Sequence, residues 1–127
     1  MAEPNPAIAI TGIGAATPLG NSFGTIADAL AAGRSGVGRF DAGTFGRPQE
    51  HPAAVVADIP SPPASSVSLP PGEFSRRSRL EQLALGPAAW AVHDAGLKPG
   101  SPQAPRPNRI GVITGSGAEQ LKDWERD

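Results

Sequence analysis

Apolar positions along this chain fall into two periods, and together they predict strands joined to helices. Ala7–Ile10 is a short apolar run that meets Thr11-Gly12-Ile13-Gly14 at once, which predicts a buried strand ending in a glycine turn. Phe23, Ile26, Ala27, Leu30 and Ala31 then recur at i, i+3, i+4, i+7 and i+8, one face of a helix. Asn21 or Ser22 can cap its start, and Gly33 stops it. Leu80, Leu83, Ala84, Ala88, Ala91, Val92 and Ala95 mark a second, longer helix. Ser78 and Glu81 have capping-box spacing before it, and Gly96 and Pro99 follow it. Pro87 lies inside that pattern and predicts a kink or break, because proline lacks the amide hydrogen and crowds the preceding turn. Ala53–Ile59 and Arg109–Thr114 are the remaining strand candidates. A strand, a glycine turn and a helix in that order open an α/β domain.

Composition changes this picture in one respect. The 127 residues hold 16 glycines and 15 prolines but no cysteine. Leu, Ile, Val and Phe make up only about a fifth of the chain, thin for an independent core. Long irregular stretches are therefore expected, above all the proline-rich loop at residues 46–73. Gly36, Gly38 and Gly43 predict a flexible run ahead of it, and residues 118–127 could begin another helix. A net charge of −1 gives no electrostatic footprint for nucleic acid. No apolar run reaches membrane-spanning length, and the amino terminus lacks the positive charge of a signal peptide, so the expected location is the cytoplasm.

The missing cysteine excludes disulfides, thiolate metal sites and a cysteine nucleophile. The opening turn invites comparison with a dinucleotide cradle, but Thr17 stands where the third small residue belongs. Pro18 delays the helix further, and only Asp41 or Asp58 could serve as the ribose-binding acid. No Gly-Lys-Ser/Thr phosphate loop is present. His51 falls in the proline-rich loop and His93 outside the apolar face of the second helix, so both are expected at the surface without a catalytic role. Gly115-Ser116-Gly117 predicts a tight turn or an anion nest without the flanking pattern of a hydrolase elbow. Trp90 and Trp124 are expected to be packing groups.

Arg76, Arg77 and Arg79 cluster with Ser75 and Ser78 where the second helix begins. Cations there oppose the helix dipole and do not help the helix. A solvated face would explain them; so would a docking patch for an acidic partner or a phosphate, which guanidinium groups bind in pairs of hydrogen bonds.

Four blocks in order resemble the amino-terminal end of a β-ketoacyl-acyl-carrier-protein synthase: AIAITGIGAATPLGNS, ALAAGRSGVGRFDAGTF, RRSRLEQLALGPAAWAVHDAGL and RIGVITGSG. The first carries a T-G-x-G-x-x-[ST]-P-x-G-N opening, the last an R-x-G-V-x-x-G-S-G strand. The resemblance implies α/β architecture, namely the incomplete first half of an α-β-α layered, thiolase-like domain over residues 1–127. It implies a family of acyltransferases that join an acyl chain to a malonyl unit by decarboxylative Claisen condensation, in fatty acid or polyketide synthesis. That chemistry uses a cysteine thiolate and two histidines. The chain is expected to end before the cysteine, and His51 and His93 match neither histidine, so no catalytic, cofactor-binding or metal-binding residue carries over. Arg76 and Arg79 fall at or near positions where related synthases touch the acidic acyl carrier protein, and Arg77 lies between them. Pro87 and the prolines of residues 60–71 depart from the family pattern. The resemblance implies a chain that does not condense acyl groups alone and that associates with itself or a complementary chain. The other reading is a non-catalytic module that docks acyl carrier protein.

Overall fold

A computed structural model of the chain describes residues 7–41, 50–70, 72–98, 100–101 and 109–115. The elements run α1 (Phe23–Ala31), β1 (Gly38–Asp41), β2 (Glu50–Ala53), α2 (Glu73–Arg76) and α3 (Arg79–Asp94).

Both long helices start and stop on local chemistry. The α1 helix is capped by Ser22, whose hydroxyl accepts from the Thr25 amide at 3.2 Å while Thr25 Oγ1 accepts from the Ser22 amide at 3.3 Å. Gly33 then takes a positive φ of 65°, and the amides of Gly33 and Arg34 close back onto Leu30 and Ala29. In α3, Ser78 and Glu81 form the expected capping box, and the amides of Gly96 and Leu97 close onto His93 and Val92 in the same way.

Of the kink or break expected at Pro87, no break occurs: the helix α3 runs on through it. Gly86 explains part of this. A residue before proline is pushed out of the helical region by a clash that involves its Cβ, and glycine has none. The cost that remains is the Leu83 carbonyl, which has no amide to accept from one turn later.

The strand expectations need correction. Ala7–Ile10 forms no strand, and Ile8 and Ile10 are 96% and 84% exposed. Arg109–Thr114 forms none either, and Val112 and Ile113 lie open to solvent. An apolar run becomes a buried strand only when neighbours pair with it and cover both faces. The sole sheet among the described residues is instead the antiparallel pair β1–β2, with Gly38 opposite Ala53 and Arg39 opposite Pro52. It includes Gly38, from the run expected to be flexible, and only Ala53 of the Ala53–Ile59 candidate. Pro52 is compatible with a strand here because each strand of a two-stranded sheet is an edge. Ser116, Gly117, Gly43, Trp124 and the expected helix at 118–127 lie outside the described residues.

Part of the burial lies where the segment after β2 meets α3, at Ile59 and Gly86. Among the described residues Ala29, Ile59 and Ala89 are the buried apolar side chains, and Ser66 and Gly86 are buried too. The faces assigned from periodicity stay partly open: Phe23, Leu30 and Leu80 are all exposed.

Candidate partner-binding surface

Two segments seat on α3 from different sides. The first is the glycine turn. A Cβ built on Gly12 would lie 2.6 Å from the Ala95 nitrogen and 2.8 Å from the Ala95 Cβ, and one on Gly14 would lie 2.7 Å from the Ala91 nitrogen. Only glycine lets the two backbones come so close, one helical turn apart. Between them, the Ile13 amide donates to Asp94 Oδ2 at 2.9 Å. These glycines are therefore used to pack against a helix. Just beyond, Thr17 and Gly20 exchange backbone hydrogen bonds at 3.1 Å around Pro18 and Leu19, and Thr17 Oγ1 donates to the Gly20 carbonyl at 2.8 Å. The Thr-Pro-x-Gly portion of the motif is thus a tight turn that delivers the chain to the α1 cap.

The second segment is the proline-rich stretch after β2. Trp90 Nε1 donates to the Ser61 carbonyl at 3.1 Å, and Ser65 Oγ lies 3.2 Å from His93 Nδ1. The Trp90 and His93 rings meet edge to face at 5.5 Å. His93 is exposed, as its position outside the apolar face suggested, but its contact with Ser65 joins residues 28 apart and leaves no trace in local sequence. His51 is exposed on β2, within the strand rather than in a loop, and has an interaction partner of its own.

The arginine cluster occupies the corner between α2 and α3, and its three members differ. Arg77 is held by two carboxylates, Glu73 at 3.0 Å and Glu81 at 3.1 Å, each one helical turn away in sequence. Arg79 donates to the backbone carbonyl of Val56. Arg76 is exposed in the last turn of α2, with no side-chain partner among the described residues. Glu81 is held below its ordinary carboxylate range, first by the hydrogen bond from the Ser78 amide, then by the Ser78 hydroxyl and by Arg77. Beside the corner, Ser61, Pro62, Val67, Leu69, Pro70 and Phe74 line a half-open, mostly apolar cleft of about 220 Å³. No group of three metal-ligating side chains occurs among the described residues. No helix among them is long and apolar enough to cross a membrane.

Residues 5–126 match the family described as beta-ketoacyl synthase, N-terminal domain. The chain belongs to that family. Membership implies a thiolase-like fold and accounts for the order of the four sequence blocks. Among curated ketosynthases, the 3-oxoacyl-[acyl-carrier-protein] synthase 2 of Coxiella burnetii (strain RSA 493 / Nine Mile phase I) is 35% identical over 114 residues. That alignment covers 87% of this chain and 25% of the relative. The tetracenomycin polyketide synthase ketoacyl synthase beta subunit of Streptomyces glaucescens is 31% identical over 130 residues, covering 100% of this chain and 29% of the relative. The chain therefore spans little more than a quarter of the ketosynthases it resembles. No solved structure matches it.

Proposed function

We propose that this chain is the opening part of a β-ketoacyl-acyl-carrier-protein synthase subunit, the incomplete first half of an α-β-α layered domain, acting in the cytoplasm in fatty acid or polyketide synthesis. The observation that carries this reading is the family match over residues 5–126. In the complete assembly the reaction is a decarboxylative Claisen condensation. The chain's part in it is framework and carrier docking, not bond formation. With no cysteine it cannot hold an acyl group as a thioester on its own, and the exposed His93, turned to Ser65, has no acyl group to act upon.

The docking surface is the α2–α3 corner with Arg76, Arg77 and Arg79, and the acidic acyl carrier protein is its partner. Arg76 leads, because it is the member with no commitment inside the fold among the described residues. The carboxylates around Arg77 lower the local positive charge, so its share is smaller. Self-association or a complementary subunit supplies the further partner: one relative carries the name of a beta subunit, and exposed apolar segments in this chain await neighbours.

Two measurements test the reading. Incubated with acyl- and malonyl-loaded carrier protein, the purified chain should give no ketoacyl product, and product formation would overturn the assignment of the chemistry to other residues. Titrated calorimetrically with carrier protein at low salt, it should bind, with loss of binding in Arg76→Glu and weakening as salt rises. Equal affinity of Arg76→Glu and the unaltered chain removes the docking surface.

A further inference from the structure

Residues 56–66 lie along α3 as a strap that advances in the same direction as the helix. Val56 is bound by Arg79, Ile59 and Pro60 rest on Gly86, Ser61 is bound by Trp90, and Ser65 by His93. The helix positions 79, 86, 90 and 93 are spaced by seven, four and three residues, so they form one stripe down α3. A Cβ on Gly86 would stand 3.1 Å from Ile59 Cγ2 and 3.2 Å from the Pro60 carbonyl, so the strap is closest where the helix lacks a side chain. Pro60, Pro62 and Pro63 restrict the strap's own backbone. It therefore loses little conformational freedom on docking, and a few contacts suffice to hold it.

We propose that this strap is a latch on the docking surface. Docked, it keeps Arg79 on its own Val56 carbonyl; released, it frees Arg79 to stand beside Arg76 toward an acidic carrier protein. The inference rests on the docking reading above and adds its regulation. The exchange is favourable in direction, because a guanidinium bonds more strongly to a carboxylate than to a neutral carbonyl. What opposes it is the cost of giving up the Gly86, Trp90 and His93 contacts together with the Arg79 bond.

The test separates latch from docking. Trp90→Phe combined with Ser65→Ala removes two hooks and leaves all three arginines. Ile59→Asp, which puts a carboxylate at a buried strap position, releases the strap by an independent route. Limited cleavage by thermolysin across residues 55–67 reads the release, and calorimetry with acyl carrier protein reads the affinity. The latch predicts faster cleavage in both variants and an affinity gain of about tenfold that Arg79→Ala abolishes. Faster cleavage with unchanged affinity overturns the latch, while Arg76-dependent binding in the unaltered chain leaves docking standing. Unchanged cleavage in both variants also overturns it, since the named contacts then do not hold the strap. Absence of binding in every form, with the strap released, overturns latch and docking together.

Discussion

Gly12 and Gly14 show how a residue can be needed for what it lacks. Each sits against the backbone of α3 at a distance that no Cβ tolerates, one helical turn from the other. Gly14→Ala must displace either the turn or the helix, an overpacking cost of about 1–3 kcal/mol. Urea denaturation followed by circular dichroism should show that loss. Gly24→Ala in α1, where a Cβ meets nothing within 4 Å, should leave stability unchanged or slightly raised in the same measurement. The pairing of Thr11-Gly12-x-Gly14 with Ala91 and Ala95 was invisible in the order of residues. The sequence showed a glycine turn and a helix rich in alanine, but nothing in their spacing said that one would rest on the other.

At the scale of elements, ends were more legible than faces. Ser22, Gly33, Ser78, Glu81 and Gly96 all act where their residue types implied, because capping is settled within a few residues of chain. Burial is not settled locally. Phe23, Leu30 and Ala31 of the α1 stripe are exposed while Ala29, outside that stripe, is fully buried. The single turn of α2 gave no signal, being too short for periodicity to register. The α2–α3 corner was legible as a basic cluster, but its internal division required the fold: Val56 lies 23 residues from Arg79.

The cap of α3 carries an acid dependence. Glu81 titrates below its ordinary range in the folded chain, so its contribution is complete above that range and declines as pH falls toward the folded value. Acidification through the carboxylate range should therefore fray the start of α3, seen as faster exchange of the Glu81 and Gln82 amides. Glu81→Gln should flatten that dependence. Ser78→Ala removes the hydroxyl partner and should lower stability by about 1 kcal/mol at neutral pH.

On the scale of the whole molecule, segments that the sequence marked as strands lack strand partners among the described residues. Ile8, Ile10, Val112 and Ile113 are 82% exposed or more. Extended apolar segments with open backbone edges seek pairing. Sedimentation velocity should show the chain associating as its concentration rises, and Ile10→Lys with Ile113→Lys should keep it monomeric. A sharp, concentration-independent melt of a dilute monomer would contradict this. The strand signal in these runs described what they could pair with, and none of the described residues pairs with them.

The grip on α3 from two sides also sets where the gene can change length. The glycine turn reads the helix at Pro87, Ala91 and Ala95, and the proline-rich strap reads it at Arg79, Gly86, Trp90 and His93. One residue inserted after Glu81 would turn everything beyond it by about 100°. Gly86 would then leave Ile59, and Ala91 and Ala95 would leave the glycines, in a single event. Point substitutions along α3 can be absorbed one contact at a time, whereas a frame-preserving codon insertion there changes every later contact at once.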